Sequence, residues 1–198
     1  TLQDSTFKDN SANVATITAS ATPPVIQSFT PFTQVWGGYF NGSSYVNVPD
    51  STTFTMGSGD FTLECWVNLT TISGSQMLIG TCDSGGSQGS MSFVLNVNSG
   101  TPRIGVGYGG TMYFATAASA ITANTWVHIA GVRNGASVYI YVNGVQSTAL
   151  NMGSLAITDS TQIVAIGRNG AGNFEYLTGY ISNLRITKGV AVYTGAFT

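Results

Sequence analysis

The sequence predicts an all-β protein, a sandwich of two antiparallel sheets, and three observations carry that expectation. The dominant hydrophobic period is two: Phe61, Leu63, Cys65, Val67 and Leu69 alternate with Thr62, Glu64, Trp66 and Asn68, as in a strand whose two faces meet different surroundings. Short runs of this kind recur along the chain, separated by Gly, Asn, Ser and Pro, residues that turn the backbone for identifiable steric reasons. No stretch longer than about ten residues holds the 3.6-residue period of an amphipathic helix.

Taken in order, residues 1–34, with Pro23, Pro24 and Pro31, read as a lead-in: one strand at 14–18, then an extended connection that packs on the sandwich body of residues 35–198. Strands are expected in the body at 44–48, 61–69, 76–82, 91–97, 111–116, 125–133, 137–142, 162–168 and 179–187. Asn134-Gly135 and Asn143-Gly144 suit the positive-φ turns whose twist matches a hairpin, so residues 125–148 read as a three-stranded meander. Residues 112–123 are Ala-rich, but Thr111, Tyr113, Phe114 and Thr116 favour a pleated surface; strand followed by loop is expected. No fixed repeat marks a propeller or solenoid.

Composition limits the function. Charged residues are 7% of the 198, and Lys+Arg number 6 against Asp+Glu 8, where soluble domains average roughly 25% charged. The surface is therefore kept soluble by Thr, Ser, Asn and Gly. Six scattered cations form no basic stripe, which argues against nucleic acid as a partner, and no apolar run approaches the ~20 residues of a membrane-spanning helix. The length suits one domain. The bare ends, Thr1 and Thr198, suggest an excerpt of a longer chain. Cys65 and Cys82 read as two reduced, buried thiols, with a single bridge as the alternative.

Motifs for catalysis are weak. Gly85-Gly86-Ser87-Gln88-Gly89 has the spacing of a nucleophile elbow but no helix follows it, and a loop is expected. Gly105-Val106-Gly107-Tyr108-Gly109-Gly110 has dinucleotide-fingerprint spacing but leads into a strand; its glycines are expected to let strands approach or turn. His128 is the only histidine, which excludes a two-His metal site, and its strand position alongside Trp126 and Ala130 suggests a satisfied, buried ring. Glu64 and Glu175 are the only glutamates and are far apart in sequence, whereas glycosidases need two carboxylates across one bond. Glu64 is expected to pair with an arginine such as Arg133 or Arg185. The aspartates Asp50, Asp60, Asp83 and Asp159 are isolated, so no resident metal is expected. Calcium would find oxygens around Asn41 and Asp50 at most, and turn capping is the expected role of both. Sugar binding needs aromatic faces and amide or hydroxyl groups. The segments 108–114 and 169–176 offer that mixture, and Tyr108, Tyr113, Asn169, Asn173 and Tyr176 are the candidate binding residues.

A family likeness sits on specific residues. Tyr39-Phe40-Asn41-Gly42-Ser43-Ser44-Tyr45-Val46-Asn47-Val48-Pro49 resembles the opening of concanavalin A-like, laminin-G-type sandwich domains. Asp60-Phe61-Thr62-Leu63-Glu64-Cys65-Trp66-Val67 resembles their second strand. Residues 125–130 and 138–144 resemble the central pair, and 179–186 the closing strand. Residues 184–198 and the lead-in are similar to the flanks of such domains in bacteriophage virion proteins.

The resemblance implies a jelly-roll fold and a module of a tail fibre, capsid decoration or other virion surface protein. It further implies a non-enzymatic role, binding either a bacterial surface polysaccharide or other virion proteins, with a homo-oligomer as an expected assembly state. Assembly in a reducing bacterial cytoplasm would suit unpaired cysteines. The carboxylate trio of related glucanases, E-x-D-x-x-E, does not occur here. Asn41 and Asn183 stand where such domains often carry Asp, so the family's calcium site does not transfer.

Overall fold

In the computed structural model, the structure describes residues 6–32, 36–81, 88–169 and 174–198. The strands run β1 (Thr18–Ala19), β2 (Val25–Gln27), β3 (Gly37–Asn41), β4 (Val46–Val48), β5 (Phe61–Leu69), β6 (Ser75–Thr81), β7 (Phe93–Asn98) and β8 (Thr101–Tyr108). They continue with β9 (Thr111–Thr116), β10 (Val127–Asn134), β11 (Ser137–Val142), β12 (Val145–Gln146), β13 (Leu150–Asn151), β14 (Val164–Ile166) and β15 (Thr178–Lys188). A seven-stranded sheet has the order β1-β4-β14-β6-β7-β8-β9; an eight-stranded sheet has the order β12-β11-β10-β5-β15-β3-β2, with β13 pairing β11. The pairings are antiparallel, and the fold is the all-β two-sheet sandwich that the alternation predicts.

The core lies where the inward alternates of both sheets meet. Phe61, Leu63, Cys65, Val67 and Leu69 of β5 join Phe93, Leu95, Val97, Ile104 and Val106 of the facing sheet, all buried. Arg133 is also fully buried. Its guanidinium donates to the carbonyls of Gly57, Gly135, Gly153 and Leu155 at 2.9–3.2 Å, tying three loops at one end of the sandwich.

The lead-in differs from expectation. Residues 14–17 are not strand, and Val14 sits at φ +46°; only β1 and β2 form, and they extend one edge of each sheet. The meander forms as expected. Asn143 and Gly144 both take positive φ, whereas Asn134 closes β10 opposite Ser137 and only Gly135 turns. Sequence reading missed β2, β3, β8 and β13; the longest of them, β8, carries Pro102, Gly105 and Gly107, residues of low strand propensity. The glycine string behaves as expected nonetheless: Gly109 and Gly110, both at positive φ, make the β8–β9 turn.

Candidate functional site

Register places a mixed polar and apolar patch on the outer face of the seven-stranded sheet. Met77, Asn96, Arg103 and Thr116 stand in one row across β6, β7, β8 and β9. The next row is Gly80, Val94, Gly105 and Phe114. Glycine at 105 is required by the packing, since a Cβ there would lie 2.6 Å from the Phe114 ring. The glycine thus clears the floor on which Phe114 and Met112 lie. The Arg103 guanidinium sits 4.2 Å above the centroid of Phe114, a cation–π arrangement, and its Nε donates to Asn96 Oδ1 at 3.0 Å. Asn96 Nδ2 donates in turn to Ser75 Oγ at 3.1 Å.

Asn169 and Glu175 close the patch from one side. Asn169 Nδ2 donates to Glu175 Oε2 at 2.8 Å, while Asn169 Oδ1 is buried without a hydrogen-bond partner among the described residues. A buried orphaned acceptor is uncommon, since most such groups are satisfied. Glu175 holds a left-handed backbone at φ +55°, a strain that non-glycine residues adopt only where the surroundings enforce it. Its carbonyl accepts from the Met77 amide at 2.9 Å, which ties it to β6. Burial lowers the Arg103 pKa from the usual arginine value, and the Glu175 charge opposes that shift. Asn96, Arg103, Asn169 and Glu175 surround a dimple of about 10 Å³, with Met91, Val94, Met112 and Phe114 as its apolar lining. The dimple is about one water in size, so a larger ligand would lie across the face around it.

Of the residues expected to bind, Asn169 lies in this patch. Tyr108 and Tyr113 do not, because period-two alternation turns them to the opposite side of β8 and β9, with Val106. They remain well exposed, at 38% and 40%, as diagonal neighbours near the β8–β9 turn. Tyr176 packs 6.4 Å from Tyr45, over which the Arg168 guanidinium lies at 3.8 Å. Asn173, Ser87, Cys82 and Asp83 lie outside the described residues. The two segments singled out therefore converge, through Met112, Phe114, Asn169 and Glu175. Asn96 and Arg103 were missed; the signal that finds them is the Gly105-x-Gly107 spacing inside a strand. Asn41 Oδ1 accepts from the Ser43 amide, the Ser43 hydroxyl and the Ser44 amide at 2.9–3.0 Å, which is turn capping. Asp50 is exposed. No group of three or more His, Cys, Asp or Glu gathers among the described residues.

The other outer face holds a buried network. Glu64 on β5 is 5% exposed; its Oε2 accepts from His128 Nε2 at 3.0 Å and Tyr193 OH at 2.7 Å. Its Oε1 accepts from Arg185 Nε at 2.6 Å, with Arg185 Nη2 completing the ion pair. Burial raises the Glu64 pKa, but the three donors and the Arg185 charge outweigh it, and the group is held at about 2. The arginine partner is thus Arg185; Arg133 serves the loops. Residues 190–197 cover this network: Tyr193 stacks on Phe197 at 3.9 Å and 13°, and the Phe197 amide donates to Gly144 O at 3.1 Å. Beside it, Phe29 and Phe32 of the lead-in, and Trp36 just after it, are 38–48% exposed. Phe29 packs on Trp126 and Tyr180, and Phe32 on Trp66, at 4.7–5.5 Å between centroids.

Solved structures share this architecture. Domain 4 of AbnA, a GH43 extracellular arabinanase from Geobacillus stearothermophilus in complex with arabinotriose, superposes with a TM-score of 0.68 at 17% identity, covering 90% of this chain and 84% of that one. The binding domain of Paraclostridial Mosquitocidal Protein 1 gives a TM-score of 0.72 at 16% identity, over 96% of this chain and 47% of that one. The botulinum neurotoxin serotype G binding domain gives 0.69 at 14%, over 94% and 46%. The chain spans about half the length of those two toxin domains. At such identities the likeness is one of fold. None of the curated proteins compared matches the chain by sequence. The family model of the concanavalin A-like lectin/glucanases superfamily matches residues 40–191, from the end of β3 to the start of the covering C-terminal segment, and the chain belongs to that superfamily.

Proposed function

We propose that this chain is a lectin-like module that binds a glycan across the outer face of its seven-stranded sheet and performs no chemistry on it. The observation that carries the reading is the Asn169 side chain, held to Glu175 through Nδ2 while its buried Oδ1 lacks a donor among the described residues. Sugar hydroxyls are donors and acceptors at once, and amide, carboxylate and guanidinium groups around an aromatic ring suit them. Against hydrolysis stands the separation of the two glutamates on opposite outer faces, with Glu64 enclosed by three donors. Support for a bacterial surface polysaccharide as the ligand, and for a place on a phage virion surface, comes from the similarity of both flanks to virion modules. The neutral exterior rich in Thr, Ser and Asn is in keeping with it.

The test is a glycan array that includes bacterial surface polysaccharides, read in calcium and in chelator. Saturable binding to one glycan class is expected in both buffers, with Phe114→Ala lowering affinity about tenfold or more. Binding lost in chelator would instead assign calcium a role. The exposed Phe29, Phe32 and Trp36 favour a second reading, a structural virion module whose partner is another virion protein. No glycan binding, together with a concentration-dependent oligomer that Phe32→Ser dissolves, would select it.

A further inference from the structure

Beyond the bulge in β15, the described residues leave a cavity between the two sheets. β3 pairs with β15 only from Thr178 to Ser182, and β15 bulges between Ser182 and Arg185 with Asn183 at φ +50°. From Arg185 onward, among the described residues, β15 pairs only with β5. The inter-sheet seam there is a cavity of about 410 Å³. Its walls are Val48, Ile79, Val164 and Ile166 from the seven-stranded sheet and Leu184 and Ile186 from the other. Ala15 and Ile17 of the lead-in line it from outside.

The charges at the opening are unequal in availability. The Asp9 carboxylate accepts from the Ser11 amide, the Ser11 hydroxyl and the Ala15 amide at 2.8–2.9 Å, so it is turned into its own segment. The Arg185 guanidinium is engaged by Glu64. Lys188 is exposed, donates to Thr52 O at 2.8 Å, and has no carboxylate partner among the described residues. A slot with apolar walls, with Asn10, Ser11, Asn13 and Thr53 as neutral polar groups in its lining and with one ammonium that lacks a carboxylate partner among the described residues, is complementary to a chain that is aliphatic along its length and anionic at its end.

We propose that this seam is a binding site for a single aliphatic carboxylate, with its chain between the sheets and its head group at Lys188. At the roughly 30 Å³ that a water takes up in the liquid, 410 Å³ is room for on the order of a dozen waters, the space that one medium-length chain would take.

The experiment is calorimetric titration of the intact chain at pH 7 with hexanoate, octanoate, decanoate, dodecanoate and hexadecanoate, each below its aggregation concentration. Kd is expected to fall about three- to fourfold per added methylene and to level off near ten to twelve carbons, about where the seam fills. Lys188→Gln, an exposed change that leaves the fold intact, should remove the preference for decanoate over decanol while keeping the chain-length slope. Val164→Phe, at a fully buried wall position, should abolish binding at a cost of about 1–3 kcal/mol in stability, with the fold of the variant verified by circular dichroism before titration. Phe114→Ala should leave decanoate binding unchanged, so failure here and failure of the glycan reading are separate results. Absence of saturation at every chain length, or affinity indifferent to both Lys188→Gln and Val164→Phe, would overturn the proposal.

Discussion

Glu64 shows how one residue combines several physical terms. Its carboxylate is drawn out of water, which raises its pKa, and is then surrounded by His128, Tyr193 and Arg185, which bring it down to about 2 from the ordinary 4.5. A carboxylate whose folded pKa is depressed stabilises the fold above its unfolded pKa, and that stability is lost as pH falls through the folded value. The contribution is about 3 kcal/mol at neutral pH, at 1.36 kcal/mol per unit, and the acid limb should lie between pH 4.5 and about 2. Glu64→Gln should flatten that limb and lower stability at pH 7 by about 3 kcal/mol, measured by urea unfolding as a function of pH. A mutant whose acid limb matches the wild type would contradict this assignment. Cys65 beside it is fully buried, and burial pushes its thiol well up, so a thiol reagent should modify Cys65 only on unfolding.

At the scale of elements, the C-terminal segment acts as a strap. Tyr193 and Phe197 lie over Glu64, His128 and Tyr141, and the Val192 amide donates to Thr62 Oγ1 at 3.0 Å. Tyr193→Phe removes one hydrogen bond to a charged acceptor and should cost about 1.5–3 kcal/mol, a fall of roughly 3–12 °C in melting temperature for a chain this size. Scanning calorimetry checks it; an unchanged midpoint would mean the strap does not hold through Glu64. The strands most legible in sequence are those with one face in the core and the other covered or solvated. β5, β9, β10, β11 and β15 fall where the period of two puts them. β8 was not legible, because Gly105 and Gly107 are there to admit the Phe114 ring of β9 and the Met91 carbonyl just before β7, a tertiary demand that overrides propensity. The lead-in strand at 14–18 failed for the opposite reason. Its pattern is apolar, but Asp9 binds the Ala15 amide and takes the segment away from a ladder.

For the whole molecule, sequence reading located the two segments whose described residues meet on the seven-stranded sheet, and its Tyr108 and Tyr113 lie on the other side of β8 and β9 from that patch. Tyr108 and Tyr113 are the more sugar-like residues by composition, and only register shows that Phe114 and Met112 share the face with Asn96 and Arg103. The eight-stranded sheet presents a different outer face, aromatic where the lead-in crosses it and sealed where the strap lies. One domain thus offers two unlike surfaces: one with amide, carboxylate and guanidinium groups around a single ring, the other with clustered rings. The glycan recognition proposed above belongs to the first. The most direct test is an amide-resolved NMR titration of the chain with the glycan class that the array selects. The account requires shifts centred on Asn96, Arg103, Phe114, Asn169 and Glu175. Shifts centred instead on Phe29, Trp66, Trp126 and Tyr180 would place the ligand on the opposite face and contradict it.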